Sequence, residues 1–248
     1  MQRRVVIILA SLAGGALLLA IGALVYILRP TAAPSGEITA IPVEVIIAET
    51  PIPTTTSSIS DAEATNTPTS GPQTFELVQS ESQARFIIQE VLRGQVTTVV
   101  GVTSLVAAQI LVDLDNPAAT QLGAVTVNAR DLTTDQGSRN RAIRNEILDT
   151  ALYEFITFTP TQLLGLPVSV AFGQSFSFQV IGDLTIRDIT NQVTFEVTAT
   201  LESEARLSGL ASTTIQRNDY SLTIPNVPQV ASVQENVVLE IEFVAIAQ

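Results

Sequence analysis

Carboxylates, arginines and hydroxyls are the only side chains with which this sequence could do chemistry, because it contains neither histidine nor cysteine. Without histidine the usual general base and the commonest metal ligand are both missing. Without cysteine there is no thiol nucleophile, thiolate metal site or disulfide framework. Asp131 with Asp135, and Asp183 with Asp188, could pose as a glycosidase pair. Such pairs are common in an acidic chain, and the expectation is that the protein is not an enzyme. Asp113-Leu114-Asp115-Asn116 has the look of a calcium loop, but it lacks the glycine and distal glutamate of an EF-hand and reads as a strand-end turn. No metal or cofactor is expected.

The remaining charged groups define what the chain binds. All twelve basic residues are arginine, and 24 acidic residues bring the formal net charge to −12. Nucleic-acid binding needs a basic face to neutralise phosphates, so that class is excluded. The same acidity disfavours adhesion to anionic lipid head groups, which leaves apolar surface as the means of any lipid contact. Three arginines, Arg139, Arg141 and Arg144, cluster in Ser138–Thr150. There Ile143, Ile147 and Leu148 fall near one face of a short helix, with Thr133, Thr134 and Asp135 as N-cap candidates.

The elements around that helix read as strands. Ala84–Ile88, Ile110–Leu114, Val125–Ala129, Tyr153–Phe158, Phe176–Val180, Val193–Ala199 and Val237–Phe243 are strand runs, most of them with period-two alternation. Alternation puts one side of each strand in an apolar interior and the other in water. Asp115-Asn116-Pro117, Leu166-Pro167 and Ile224-Pro225-Asn226 punctuate the runs as turns or loops. Many short-spaced strands with no β-α-β rhythm indicate an all-β sandwich or barrel.

Two segments precede this domain. Val5–Leu28 carries no charge over 24 residues, and about 20 apolar residues cross a bilayer. Residues 1–29 are therefore expected to be a transmembrane anchor. Arg3 and Arg4 place its N-terminus in the cytoplasm and the domain outside. The alternative is a cleaved secretory signal, whose apolar region is usually shorter. Residues 30–73 are rich in Thr, Ser and Pro and read as a mostly disordered stalk. Within it Ile41–Ala48 is β-prone, and is expected to be extended linker rather than a docked strand.

The domain, residues 74–248, resembles the YceI-like family of polyisoprenoid-binding, lipocalin-like proteins. The resemblance rests on Ser82-Gln83-Ala84-Arg85-Phe86, on Val99-Val100-Gly101, and on Leu132-Thr133-Thr134-Asp135 followed by Arg139, Arg141 and Ile147-Leu148-Asp149. Tyr153-Glu154-Phe155-Ile156-Thr157-Phe158 is similar to a family strand with Glu154 in place of proline. Gly182–Thr190 is similar to a family hairpin with Asp188 in place of glycine, and Arg217-Asn218-Asp219-Tyr220 to an element near the end. The histidine often found after the helix arginine is absent, with Ala142 in its neighbourhood.

The resemblance implies an antiparallel barrel of about eight strands whose interior holds an amphiphilic isoprenoid chain. A barrel of that size is either filled by its own side chains or hollow enough for one ligand. The absence of tryptophan and the modest strand side chains favour the hollow form. Candidate lining residues are Phe86, Ile88, Phe158, Phe176, Phe178 and Phe195, which otherwise serve as ordinary core. Arg139 and Arg141 best match the family arginine and are candidates to meet a ligand head group; the alternative is structural ion pairing or solvent exposure. The expected function is a membrane-anchored, extracytoplasmic binder of an isoprenoid lipid or quinone, serving transport, storage or stress protection. A non-catalytic structural or interaction module with a filled core is the competing expectation.

Overall fold

A computed structural model of the chain describes residues 35–43, 71–226 and 230–248. The expected anchor, residues 1–29, lies outside the described residues, as does most of the stalk. Among the described residues no helix is long and apolar enough to cross a membrane.

Among the described residues the alternation in the sequence becomes one antiparallel sheet of thirteen strands. Its centre is a run of long hairpins: β8 (Phe155–Leu164), β9 (Ser175–Ile186), β10 (Ile189–Ser203), β11 (Arg206–Gln216) and β13 (Asn236–Ala247). On its far side β13 divides. Val238–Glu242 pair with β2 (Gln83–Leu92), and Ala245–Ala247 pair with β1 (Gln73–Leu77). β2 continues to β3 (Gln95–Thr103) and β12 (Val230–Val233), while β1 continues to β5 (Gln109–Val112) and β6 (Gln121–Leu122). At the opposite margin β8 pairs with β7 (Val125–Asn128), which pairs with β4 (Val106–Ala107). Because the chain bends from β3 directly into β4, one segment touches both margins and draws the sheet into a half-barrel. Those bends also explain the strand number. Alternation does not register a break in pairing, so an expectation of about eight becomes seven strands of nine or more residues and six shorter ones.

Register sorts the side chains. In the β9–β10 hairpin the inward cross-strand pairs are Val180 with Phe195, Phe178 with Val197 and Phe176 with Ala199. The outward pairs are polar: Ser177 and Thr198 hydroxyls lie 3.0 Å apart, and Gln179 donates to Glu196 at 2.7 Å. One apolar face is thus committed to the interior, and a one-residue slip would invert it.

The helix is shorter than expected. α1 spans Gly137–Ala142 and runs into a single π-helical stretch, Ile143–Ile147. None of Thr133, Thr134 and Asp135 caps it; the residue at the cap position is Gln136, which makes no side-chain cap bond. Thr134 instead donates both its backbone N–H and its hydroxyl to Asn140 Oδ1 at 2.7 Å, and Asp135 pairs with Arg139. Ile143 and Leu148 are buried and Ile147 half-buried, as their spacing requires.

Residues 35–43, expected as part of the free linker, lie against the domain. Ser35 Oγ donates to Glu154 Oε1 at 2.6 Å, Gln79 Nε2 to the Ile38 carbonyl at 2.5 Å, and the Val43 amide to Gln109 Oε1 at 3.3 Å. Ala40 is buried, and Gly123 lets the strap approach: a Cβ there would stand 3.0 Å from Val43 Cγ2. Glu154, where the family resemblance has proline, also accepts from Asn128 at 3.3 Å and pairs with Arg130 at 3.1 Å. The Ser35 hydrogen bond first, then the Arg130 charge and Asn128, hold its carboxyl below the usual glutamate range. A depressed folded-state pKa gives stabilisation that is complete above the unfolded value, about 4.3, and is lost as pH falls through the folded one. Hydrogen-exchange protection of Ile38–Val43 is therefore expected to fall on acidification, and to be low already at neutral pH in Glu154→Ala. Equal protection in all three conditions would refute the link.

Candidate functional site

The inner faces of the strands do not meet in a solid core. A cavity of about 480 Å³ occupies the α1 end of the half-barrel, and a second of about 110 Å³ the end nearer the β8–β9 loop. The larger falls within the ~300–1,000 Å³ typical of small-molecule pockets. Val125 and Ile241 contribute to the walls of both cavities. On the large side stands an edge-to-face pair of Phe158 and Phe195, with centroids 4.9 Å apart.

Of the aromatic and aliphatic candidates, Phe86, Ile88, Phe158 and Phe195 line the large cavity. Phe176 and Phe178 line the small one, their rings stacked at 5.9 Å. Alternation brought all six to the inner face; it did not show that they belong to two compartments. Further wall residues are Val127, Ile156, Leu184 and Leu239. Phe86, Ile88, Val127, Ile156 and Leu239 point inward yet are only half-buried, because the surface they keep faces the hollow.

Glycines thin the wall where rings cross it: Gly182 beside Phe158, and two more in cross-strand register with a ring. Gly101 sits opposite Phe86 in the β2–β3 register, and Gly209 opposite Phe243 in β11–β13. A Cβ at Gly101 would stand 2.1 Å from the nearest atom of the Phe86 ring.

The polar lining of the large cavity gathers at the end where α1 meets the sheet: Glu90, Gln136, Ser138, Arg139 and Arg217. Arg85 and Glu240 also border it. By alternation their side chains take the outer face, where they pair at 2.6 Å and the Glu240 carboxylate holds the Arg85 guanidinium above its usual pKa. Glu90 shares the inward parity of Ala84, Phe86 and Ile88 and is only 7% exposed. It accepts from Arg139 Nη2 at 2.7 Å, while Arg139 Nη1 reaches Asp135. Arg217 is equally committed: to the Leu222 carbonyl at 3.0 Å, the Gln234 carbonyl at 3.2 Å and the Glu235 carboxylate. Arg141 is exposed and lines neither cavity, so the structure does not bring it together with Arg139. The pairs Asp131–Asp135 and Asp183–Asp188 also lie outside both linings. Asp113 borders the small cavity and accepts from the Asp115 and Asn116 amides, as a turn residue does. Among the described residues no three carboxylates gather as metal ligands.

Glu90 and Arg217 were not singled out as site residues from the sequence. The signal for Glu90 was present: a charge at an even position of a strand whose other even positions are apolar. Arg217 was marked only as the first residue of the Arg217–Tyr220 element of the family resemblance; its place at the cavity depends on the connection between β11 and β12.

With this geometry in hand, similarity to known proteins is informative. A polyisoprenoid binding domain from Saccharophagus degradans, implicated in plant cell wall breakdown, superimposes with a TM-score of 0.56 at 14% identity, covering 70% of this chain and 98% of that one. BcnA of Burkholderia cenocepacia superimposes with a TM-score of 0.54 at 16% identity, covering 68% and 98%. Identities this low establish a shared fold. No curated protein sequence matches significantly. The YceI-like domain profile matches residues 75–245, from β1 into β13, and the chain belongs to the YceI-like family.

Proposed function

We propose that the protein binds an isoprenoid-type amphiphile, its chain in the apolar cavities and its head at the α1 end. The observation that carries this reading is the cavity of about 480 Å³ itself, apolar along its length with its inward polar groups at one end. An amphiphile has that same division. Each CH₂ moved from water into such a wall contributes about 0.8 kcal/mol, so a few isoprene units suffice for firm binding without a covalent or ionic anchor. Phe86, Ile88, Phe158 and Phe195 form the first part of the wall, Phe176 and Phe178 the deeper part, and Arg139 stands at the head-group end. The polyisoprenoid-binding relative supports the ligand class. The hollow favours this reading over a filled structural module.

In the same proposal Val5–Leu28 anchors the chain in the cytoplasmic membrane with the domain outside. There the binder stands beside its lipid source and serves transport, storage or stress protection. The decisive experiment is mass spectrometry of an organic extract of the purified full-length protein, combined with saturable uptake of labelled geranylgeraniol. A long-chain lipid in the extract, or saturation near one equivalent, is expected. A protein that carries no lipid and takes up no apolar chain would end the proposal.

A further inference from the structure

We infer, resting on the lipid-binding reading, that the head-group end of the large cavity selects an uncharged oxygen head, a hydroxyl or carbonyl, and rejects a phosphate. A phosphate site needs cationic donors free to neutralise it. Here the two arginines at this end are already spent on protein partners. Arg139 is held by Glu90 at 2.7 Å and by Asp135; Arg217 by Glu235 and two backbone carbonyls. Two arginines thus face three carboxylates, in a chain whose net charge is already −12.

The Glu90–Arg139 pair decides the matter. The side chains are only 8% and 15% exposed, so both charges have little access to water. A phosphate that takes Arg139 leaves Glu90 buried and uncompensated, a loss far larger than an exposed ion pair would cause. A hydroxyl or carbonyl needs only one or two hydrogen bonds, which Gln136 and Ser138 on the lining can supply without disturbing the pair. Glu90 is thereby a specificity residue: its carboxylate keeps Arg139 from acting as an anion receptor.

The test is a titration of the full-length protein with geranylgeraniol and with geranylgeranyl monophosphate, which share a chain and differ in head. The alcohol is expected to bind about tenfold tighter or more. Glu90→Gln keeps the side-chain volume, removes the competing anion and frees Arg139. It is expected to shift the ratio toward the phosphate by about tenfold or more, and that gain to weaken with added salt. Equal or tighter phosphate binding by the wild type would overturn the selectivity, as would an unchanged ratio in a folded Glu90→Gln protein. If that variant does not fold, the wild-type ratio decides alone. Binding of both ligands without preference sinks the head-group assignment and leaves lipid binding intact; binding of neither sinks both.

Discussion

Alanine at Gly182 is expected to lower the unfolding midpoint by about 2–12 °C, whereas alanine at Gly101 leaves it nearly unchanged. Both glycines face aromatic rings across the sheet, and neither has a positive φ, so space and not backbone conformation decides. At Gly182 a Cβ would stand 2.5 Å from the Thr159 carbonyl oxygen and 2.6 Å from the Phe158 ring. The oxygen belongs to β8, which bulges beside this position between Pro160 and Gln162 while Pro160 pairs with Gly182. Relief therefore requires β8 to part from β9. Phe158 also lines the large cavity, but it is buried against Phe195 and so has less freedom to turn aside than the half-buried Phe86. Overpacking of this kind costs roughly 1–3 kcal/mol, and each kcal/mol moves the midpoint by about 2–4 °C in a protein of this size.

At Gly101 the three nearest atoms all belong to the Phe86 ring, the far end of a side chain bordering the large cavity. The ring has somewhere to go. The small gain from a stiffer unfolded chain, about 0.4–1 kcal/mol for glycine to alanine, offsets most of the strain. What Gly101→Ala loses is volume, since Phe86 swings into the hollow, and geranylgeraniol uptake is expected to fall while stability holds. Thermal unfolding of the two variants side by side checks the order. A Gly101→Ala midpoint as low as that of Gly182→Ala would show that Phe86 has no free space beside it.

The contrast shows what kind of information alternation carries. Period two placed Phe86, Phe158, Phe176, Phe178 and Phe195 on one face because a pleated strand leaves no other choice. It could not distinguish a ring lying over a glycine from a ring packed against a neighbour, because that depends on register between strands far apart in sequence. Glu90 and Arg139 are separated by 49 positions and meet only because α1 folds over the end of β2. For the same reason the helix arginines read alike in the sequence and differ in the structure, one turned into an ion pair at the cavity and Arg141 into solvent. Residues 35–43 were hidden by composition. Ser35, Gly36 and Pro42 look like linker, and what fixes the strap is a set of single hydrogen bonds to Gln79, Gln109 and Glu154 supplied by the domain. Glu154 was visible as a departure from the family pattern, but its partner was not.

Filling the hollow tests it most directly. Val127→Phe is expected to abolish uptake of geranylgeraniol while leaving the unfolding midpoint unchanged or higher. Val127 lies on β7 opposite Ile156, and both line the large cavity. It is only half-buried although its side chain points inward, so the extra atoms of phenylalanine enter space that no protein atom occupies. In a solid core the same change would cost about 1–3 kcal/mol through forced rotamers and displaced backbone. In a hollow it removes apolar surface from contact with water or ligand, at about 25 cal/mol per Å², and stability does not fall. The two architectures therefore give opposite signs in one measurement. A destabilised Val127→Phe protein would mean that the side chains of the half-barrel interior already fill it. A stable one that still takes up the lipid would place the chain elsewhere than along β7, away from Ile156 and the Phe158–Phe195 pair.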